Sequence, residues 1–203
     1  MDRIRQWCLR NERACLFAAL LALFVGVYFG AGALPPWREP MVPYWDPVWR
    51  VPFVPVFIVP YTSAYVMPLS VFALPDDREA FRRLAAAFAA AIILGGLFFI
   101  GIPLAAPRPV EVGAGFWSGM VRMTYAIDVT RNLFPSLHVA LSFLTAFALG
   151  RFRPAARIPM LLWAGVIAAS TLFVRQHYAI DVLGGLVMAA VIWRRAFPTA
   201  PSF

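Results

Sequence analysis

Apolar runs at or near bilayer-crossing length recur along this chain, and they constrain its fold more than any other feature. A helix needs about 20 apolar residues to cross roughly 30 Å of hydrocarbon. Runs of this kind occupy about 14–34, 53–74, 84–103, 135–149, 158–174 and 178–193. Inside hydrocarbon every backbone N–H and C=O must be satisfied within the segment, so such runs form helices. The expected fold is all-α, a polytopic membrane protein of six transmembrane helices. The 203 residues suit a single membrane-embedded domain over 1–203. With 62% apolar residues, 14% charged residues and a mean hydropathy of +0.73, a soluble globular class is excluded.

The formal charge is +8, and all 18 basic residues are arginine. A nucleic-acid partner would need a basic patch on a solvated face. Here the arginines stand at the ends of apolar runs, as membrane topology requires. Twelve of the 18 fall in the head, the charged hairpin at 75–83, the turn at 150–158 and the tail. Arginine excess marks the cytoplasmic side, so both termini are expected there. Arg108, His138 and His177 then share the outer face. Residues 35–52 alternate prolines with Trp37, Trp45 and Trp49, which suits an irregular loop in the headgroup layer. Pro55, Pro60 and Pro68 are expected to kink the second run without breaking it, and 104–134 reads as a polar connection. Cys8 and Cys15 have neither metal-ligand nor disulfide spacing.

Both histidines lie between Asn132 and Asp181. His177 and Asp181 are four apart, so on a helix entering the sixth run they share a face. A carboxylate on one imidazole nitrogen fixes the tautomer and makes the other a better nucleophile or base. An Asp capping a helix start beside a backbone-satisfied His accounts for the same spacing. Pro135-Ser136-Leu137-His138 opens the fourth run. Pro suits a first helical turn, and the amides there with the Ser136 hydroxyl form an anion site. His138 is then placed to protonate a leaving oxygen; a capped helix start with an interfacial His is the plainer alternative. Arg108 and Arg175 either snorkel to the interface or grip phosphate.

Taken together these residues resemble the type 2 phosphatidic acid phosphatase superfamily. Its second signature, Pro-Ser-Gly-His, is matched by Pro135-Ser136-Leu137-His138 with Leu137 in place of Gly. Its third, Ser-Arg, five residues, His, three residues, Asp, is matched by Ser170-Thr171, His177 and Asp181. Of the first, Arg108-Pro109 remains, with Gly101 where Lys would stand. Thr171 replaces the signature Arg, and Arg175, one helical turn on, is expected to supply the guanidinium. The Arg-Gln-His-Tyr form and Pro52 to Tyr61 look most like the branch holding inositol phosphorylceramide synthases and many bacterial proteins.

The resemblance implies His177 as nucleophile, Asp181 as its orienting carboxylate and His138 as the acid. It also implies Ser136, Arg108 and Arg175 as phosphate-binding residues, with neither metal nor other cofactor. The expected activity is hydrolysis of a lipid phosphate or pyrophosphate at the outer face of a bacterial-type cytoplasmic membrane. A related transferase would hand a phospho-headgroup to a ceramide-, diacylglycerol- or similar lipid acceptor. A transporter or partner subunit ranks below both, because the apolar runs hold almost no ionisable residues.

Overall fold

A computed structural model describes residues 10–73 and 77–198. Cys8, the head before residue 10 and the first two residues of the charged hairpin at 75–83 lie outside those residues. The described chain is helical: α1 (Glu12–Ala33), α2 (Ile58–Ser63), α3 (Arg78–Gly101), α4 (Phe116–Ile127), α5 (Leu137–Phe152), α6 (Arg157–Phe173) and α7 (Ala179–Ala196). Among the described residues the sole β-contact is an isolated bridge between Met41 and Leu104. Three segments are long and apolar enough to cross a membrane: Glu12–Ala33, Arg78–Gly101 and Pro154–Phe173. Pro55–Val71 and Leu137–Phe152 are apolar but shorter.

α5 is the axis of the molecule, packing against α3, α6, α7 and the 3-10 segment Met67–Ala73. It buries residues on every side, among them Val139, Ala140, Leu144, Ala146 and Ala148. A helix surrounded on all sides needs no polar face, and its alanines let the neighbouring backbones approach closely. The approach is closest at Gly185 of α7, where a Cβ would lie 2.5 Å from the Ser136 carbonyl oxygen and 3.0 Å from Val139 Cβ. That crossing seats the start of α7 on the start of α5, and the Ser136 amide donates to the Asp181 carbonyl at 3.0 Å.

α1 stands at the edge and packs along α3. Its exposed side includes Leu21, Val25 and Phe29; α6 exposes Ile158 and Leu162, and α7 exposes Leu183 and Val187. Apolar exteriors on three helices match a hydrocarbon solvent, which offers such side chains what water cannot. The starts of α1 and α3 meet through Glu12 and Arg82. The ends of α5 and α7 meet where Arg151 lies over the Phe152 and Phe197 rings.

The expected elements are corrected at three places. The second run is not one kinked helix: a 3-10 turn at Pro55–Phe57, the short α2 and a 3-10 stretch at Met67–Ala73 follow one another. Prolines at 55, 60 and 68 deprive this segment of donors every few residues, and Thr62 and Ser63 hydroxyls bond carbonyls within it. From Arg78 to Arg83 the charged hairpin is instead the first turns of α3, with Asp77 as N-cap accepting from the Ala80 amide at 3.0 Å. The polar connection at 104–134 contains α4, which buries Ser118 and Val121 and packs on α2 and the Pro55–Phe57 turn.

Candidate active site

The site forms where the starts of α5 and α7 meet the turn between α6 and α7. α6 ends at Phe173, and the chain reverses through Arg175, whose φ of 52° is left-handed. The Gln176 and His177 amides both donate to the Thr171 carbonyl, at 3.0 and 3.2 Å. This closes the helix end with backbone bonds, as a left-handed residue past a C-terminus commonly allows.

Tyr178 then caps α7. The Asp181 carboxylate accepts from the Tyr178 amide at 2.8 Å and lies 3.3 Å from His177 Nδ1, both through Oδ2. The capping and pairing readings of Asp181 are therefore both realised, on one oxygen. His177 is 4% exposed and Asp181 fully buried. A second carboxylate, Asp46, is 2% exposed and reaches α7 from the proline-rich loop. It accepts from the amides of Ala179 at 3.0 Å, Ile180 at 3.1 Å and Val48 at 2.9 Å. An anion at a helix N-terminus is favourable, so Asp46 fixes the turn that presents His177.

His138, in the first turn of α5, faces His177 across 5.8 Å between ring centroids. It stacks on Tyr61 at 4.4 Å and meets Tyr65 edge-on at 5.1 Å. Ser136 is the N-cap of α5: its hydroxyl accepts from the Val139 amide at 3.4 Å, and the residue is fully buried. The helix thus starts at Leu137, and Pro135, joined to Phe134 by a cis peptide bond, precedes the cap instead of filling the first turn.

Arg108 arrives from the segment between α3 and α4. It donates from Nε to Gln176 Oε1 at 3.1 Å, and to the carbonyls of Tyr125 at 2.8 Å and Asp128 at 3.2 Å. Its guanidinium also lies 4.5 Å over the Tyr125 ring. Burial pushes the pKa of the Tyr125 phenol up, against the pull of Arg108 and Arg175, so the phenol stays a donor to the Val174 carbonyl at 2.5 Å.

Arg175 lies in the turn itself. It donates to the Val51 carbonyl at 2.5 Å and lies 5.9 Å from the Trp49 ring. Thr171 is buried, with its hydroxyl on the Ala168 carbonyl at 2.7 Å. The expectation that the two share a helical face is corrected, because the helix ends between them.

Residues that sequence reasoning passed over complete the site. Asp128 accepts from Tyr61 at 2.7 Å, Gln176 at 2.8 Å, Tyr65 at 3.2 Å and Tyr28 at 3.4 Å. A cavity with about 1170 Å³ of space between atoms, its open mouth included, begins at His138, His177, Gln176 and Asp128. It continues between α1, α3 and α5 past Phe24, Leu84 and Phe88 to Phe17 and Phe81, near the opposite helix ends.

Among the described residues the molecule is helical with apolar outer faces, and it carries two histidines at one end of a long apolar cavity, which makes it a protein of membrane type. The sequence model of the PAP2 superfamily matches residues 51–194, and the chain belongs to that superfamily. Membership carries phosphatase or phosphotransferase activity on phosphoric esters. Among curated proteins none matches the chain closely.

Proposed function

We propose that this chain is an integral-membrane lipid phosphatase that hydrolyses a lipid phosphate or pyrophosphate at the outer membrane face. The observation that carries the reading is the continuity of the cavity: the histidine pair lies at one end, and an apolar groove leads from it along α1 and α3. Between Phe17 and Tyr28 of α1 the groove runs about 16 Å, at 1.5 Å per helical residue. A polar head held at His177 with a hydrocarbon tail beside α1 fits that division.

The Asp181 contact at Nδ1 leaves Nε2 of His177 with its lone pair. Nε2 attacks phosphorus, the bond from phosphorus to the lipid oxygen breaks, and protonated His138 gives that oxygen its proton. Neutral His138 then takes a proton from water as the water oxygen attacks the phosphohistidine. The P–N bond breaks, phosphate leaves, and both histidines return to their starting states. Arg108 stabilises charge on the non-bridging oxygens. Three of its five N–H groups are held by the protein, which leaves two for a ligand. Ser136 and the amides at the start of α5 are the further donors of this reading, and Arg175 adds positive potential.

On this reading the chain makes six crossings of a bacterial-type cytoplasmic membrane with both termini cytoplasmic; the arginine bias supports that orientation, under which the site faces outward. The second reading is transfer of a phospho-headgroup to a lipid alcohol, as in the inositol phosphorylceramide synthase branch. It is favoured by the scarcity of cations: Gly101 and buried Thr171 stand where the signatures carry Lys and Arg. A monoanionic phosphodiester needs fewer fixed charges than a phosphate dianion.

The deciding experiment uses purified protein in detergent, wild type beside His177→Ala. The substrates are phosphatidic acid, a polyprenyl pyrophosphate, and a phospholipid donor with ceramide or diacylglycerol. Histidine-dependent release of free phosphate is expected. A new phospholipid without free phosphate would establish the transferase reading instead, and turnover retained in His177→Ala would remove the phosphohistidine step.

A further inference from the structure

Asp128 is the most connected side chain near the histidines, and neither signature spacing nor family membership assigns it a role. It caps the C-terminus of α4, where its amide donates to the Thr124 carbonyl at 2.9 Å. Its carboxylate draws donors from four places: Tyr28 on α1, Tyr61 on α2, Tyr65 just past α2, and Gln176 in the α6–α7 turn. A half-buried carboxylate beside an anion site opposes anion binding unless it is neutralised or has a use. Here each oxygen takes two donors, which fills the roughly four lone-pair positions of a carboxylate. With both oxygens already engaged, the carboxylate acts first on the donors it holds.

What the carboxylate can do is fix other groups. Gln176 bridges a group that only accepts, Asp128, and one that only donates, Arg108. That permits one amide orientation: Nε2 to Asp128 at 2.8 Å and Oε1 to Arg108 at 3.1 Å. The Asp128 backbone carbonyl takes a second N–H of the same guanidinium at 3.2 Å. On its other side, the 2.7 Å bond from Tyr61 fixes the ring on which His138 stacks. One residue thereby sets Arg108 and the platform under His138.

We propose that Asp128 is a positioning residue: through Gln176 and Tyr61 it holds Arg108 and His138 at the distance and orientation the phosphoryl group requires. The proposal rests on the phosphate-binding reading of Arg108 given above. Tyr61 and Gln176 both bond Oδ2, so an Asn at this position keeps an acceptor for each, whereas Ala keeps none.

The test measures binding of inorganic phosphate to the purified full chain in detergent by titration calorimetry, with lipid-phosphate turnover in parallel. D128A and Q176A are each expected to weaken phosphate binding about tenfold. The D128A/Q176A double variant is expected to lie within about twofold of either single, because both remove the same link. D128N is expected to stay within about threefold of wild type. A double variant showing the product of the two single losses would overturn the proposal, since a merely structural Asp128 acts independently of Gln176. Wild-type affinity in D128A would overturn it equally. If D128A does not fold, Q176A and Tyr61→Phe decide: weaker phosphate binding in the first and slower turnover at unchanged phosphate affinity in the second are expected, and unchanged behaviour in both overturns the proposal. Phosphate binding with this pattern but no turnover would leave the positioning intact and remove the catalytic reading. A wild type that binds no phosphate removes both.

Discussion

At the scale of the residue, the site depends on Asp181 serving two partners from one oxygen. Oδ2 meets both the Tyr178 amide and His177 Nδ1, so Asp181→Asn can keep an acceptor for each while losing the charge that would stabilise an imidazolium in the proposed mechanism. Turnover is expected to fall about 10²–10⁴-fold, as when a triad carboxylate is made neutral. The unfolding midpoint in detergent should hardly move, and a large drop would mean the carboxylate serves the fold more than the chemistry. His177→Ala removes the proposed nucleophile, and residual turnover below about a thousandth of wild type is expected. The two histidines, Asp181 and Ser136 were legible because short spacings carry them. Arg175 was legible only as a residue type: the i, i+4 rule that linked it to Thr171 holds inside a helix, and a left-handed turn at Arg175 itself ends that helix.

At the scale of the element, the start of α7 is held by a residue about 130 positions earlier. Asp46 accepts from the amides of Val48, Ala179 and Ile180 while nearly excluded from solvent. Asp46→Ala strands these donors at a buried helix start, and a loss of about 2–4 kcal/mol is expected, two or three charge-assisted bonds partly re-satisfied. Thermal unfolding of purified protein measures it, and a change below about 0.5 kcal/mol would show that the cap is dispensable. Such a cap is invisible in sequence, because nothing local to Asp46 points to Ala179. The same limit hid the Asp128 cluster, whose partners lie on four separate segments. The main helices were legible because hydropathy is local: α1, α5, α6 and α7 fall within a few residues of the expected runs. α4 escaped because 104–134 was read for its charges, although Trp117, Val121 and Tyr125 recur every four residues behind Gly113 and Gly115, both at positive φ. The second run was misjudged because three prolines within fourteen residues do more than bend a helix; they divide it into short pieces whose carbonyls are taken by hydroxyls.

At the scale of the whole molecule, one asymmetry governs where the chemistry happens. The described ends of α1, α3, α5, α6 and α7 remote from the histidines carry Arg13, Arg78, Arg82, Arg83, Arg151, Arg153, Arg157, Arg194 and Arg195. The histidine end carries the tryptophan loop, α4 and the carboxylates of Asp46, Asp128 and Asp181. Arginine is retained on the cytoplasmic side during insertion, so the histidine end should face outward, and a substrate would be processed only from the outer leaflet. Single-cysteine variants test this after Cys8 and Cys15 are replaced by Ser. Val110, fully exposed in the connection before α4, is one site, and Ala155, exposed in the turn between α5 and α6, is the other. In intact cells a membrane-impermeant maleimide is expected to label Val110→Cys and to spare Ala155→Cys until the membrane is opened. The reverse pattern would put the histidines in the cytoplasm, and the substrate would then have to be a lipid phosphate of the inner leaflet. Equal labelling of both before lysis would mean that the chain does not separate the two compartments in the way its arginines require, and the six-crossing arrangement would fall with it.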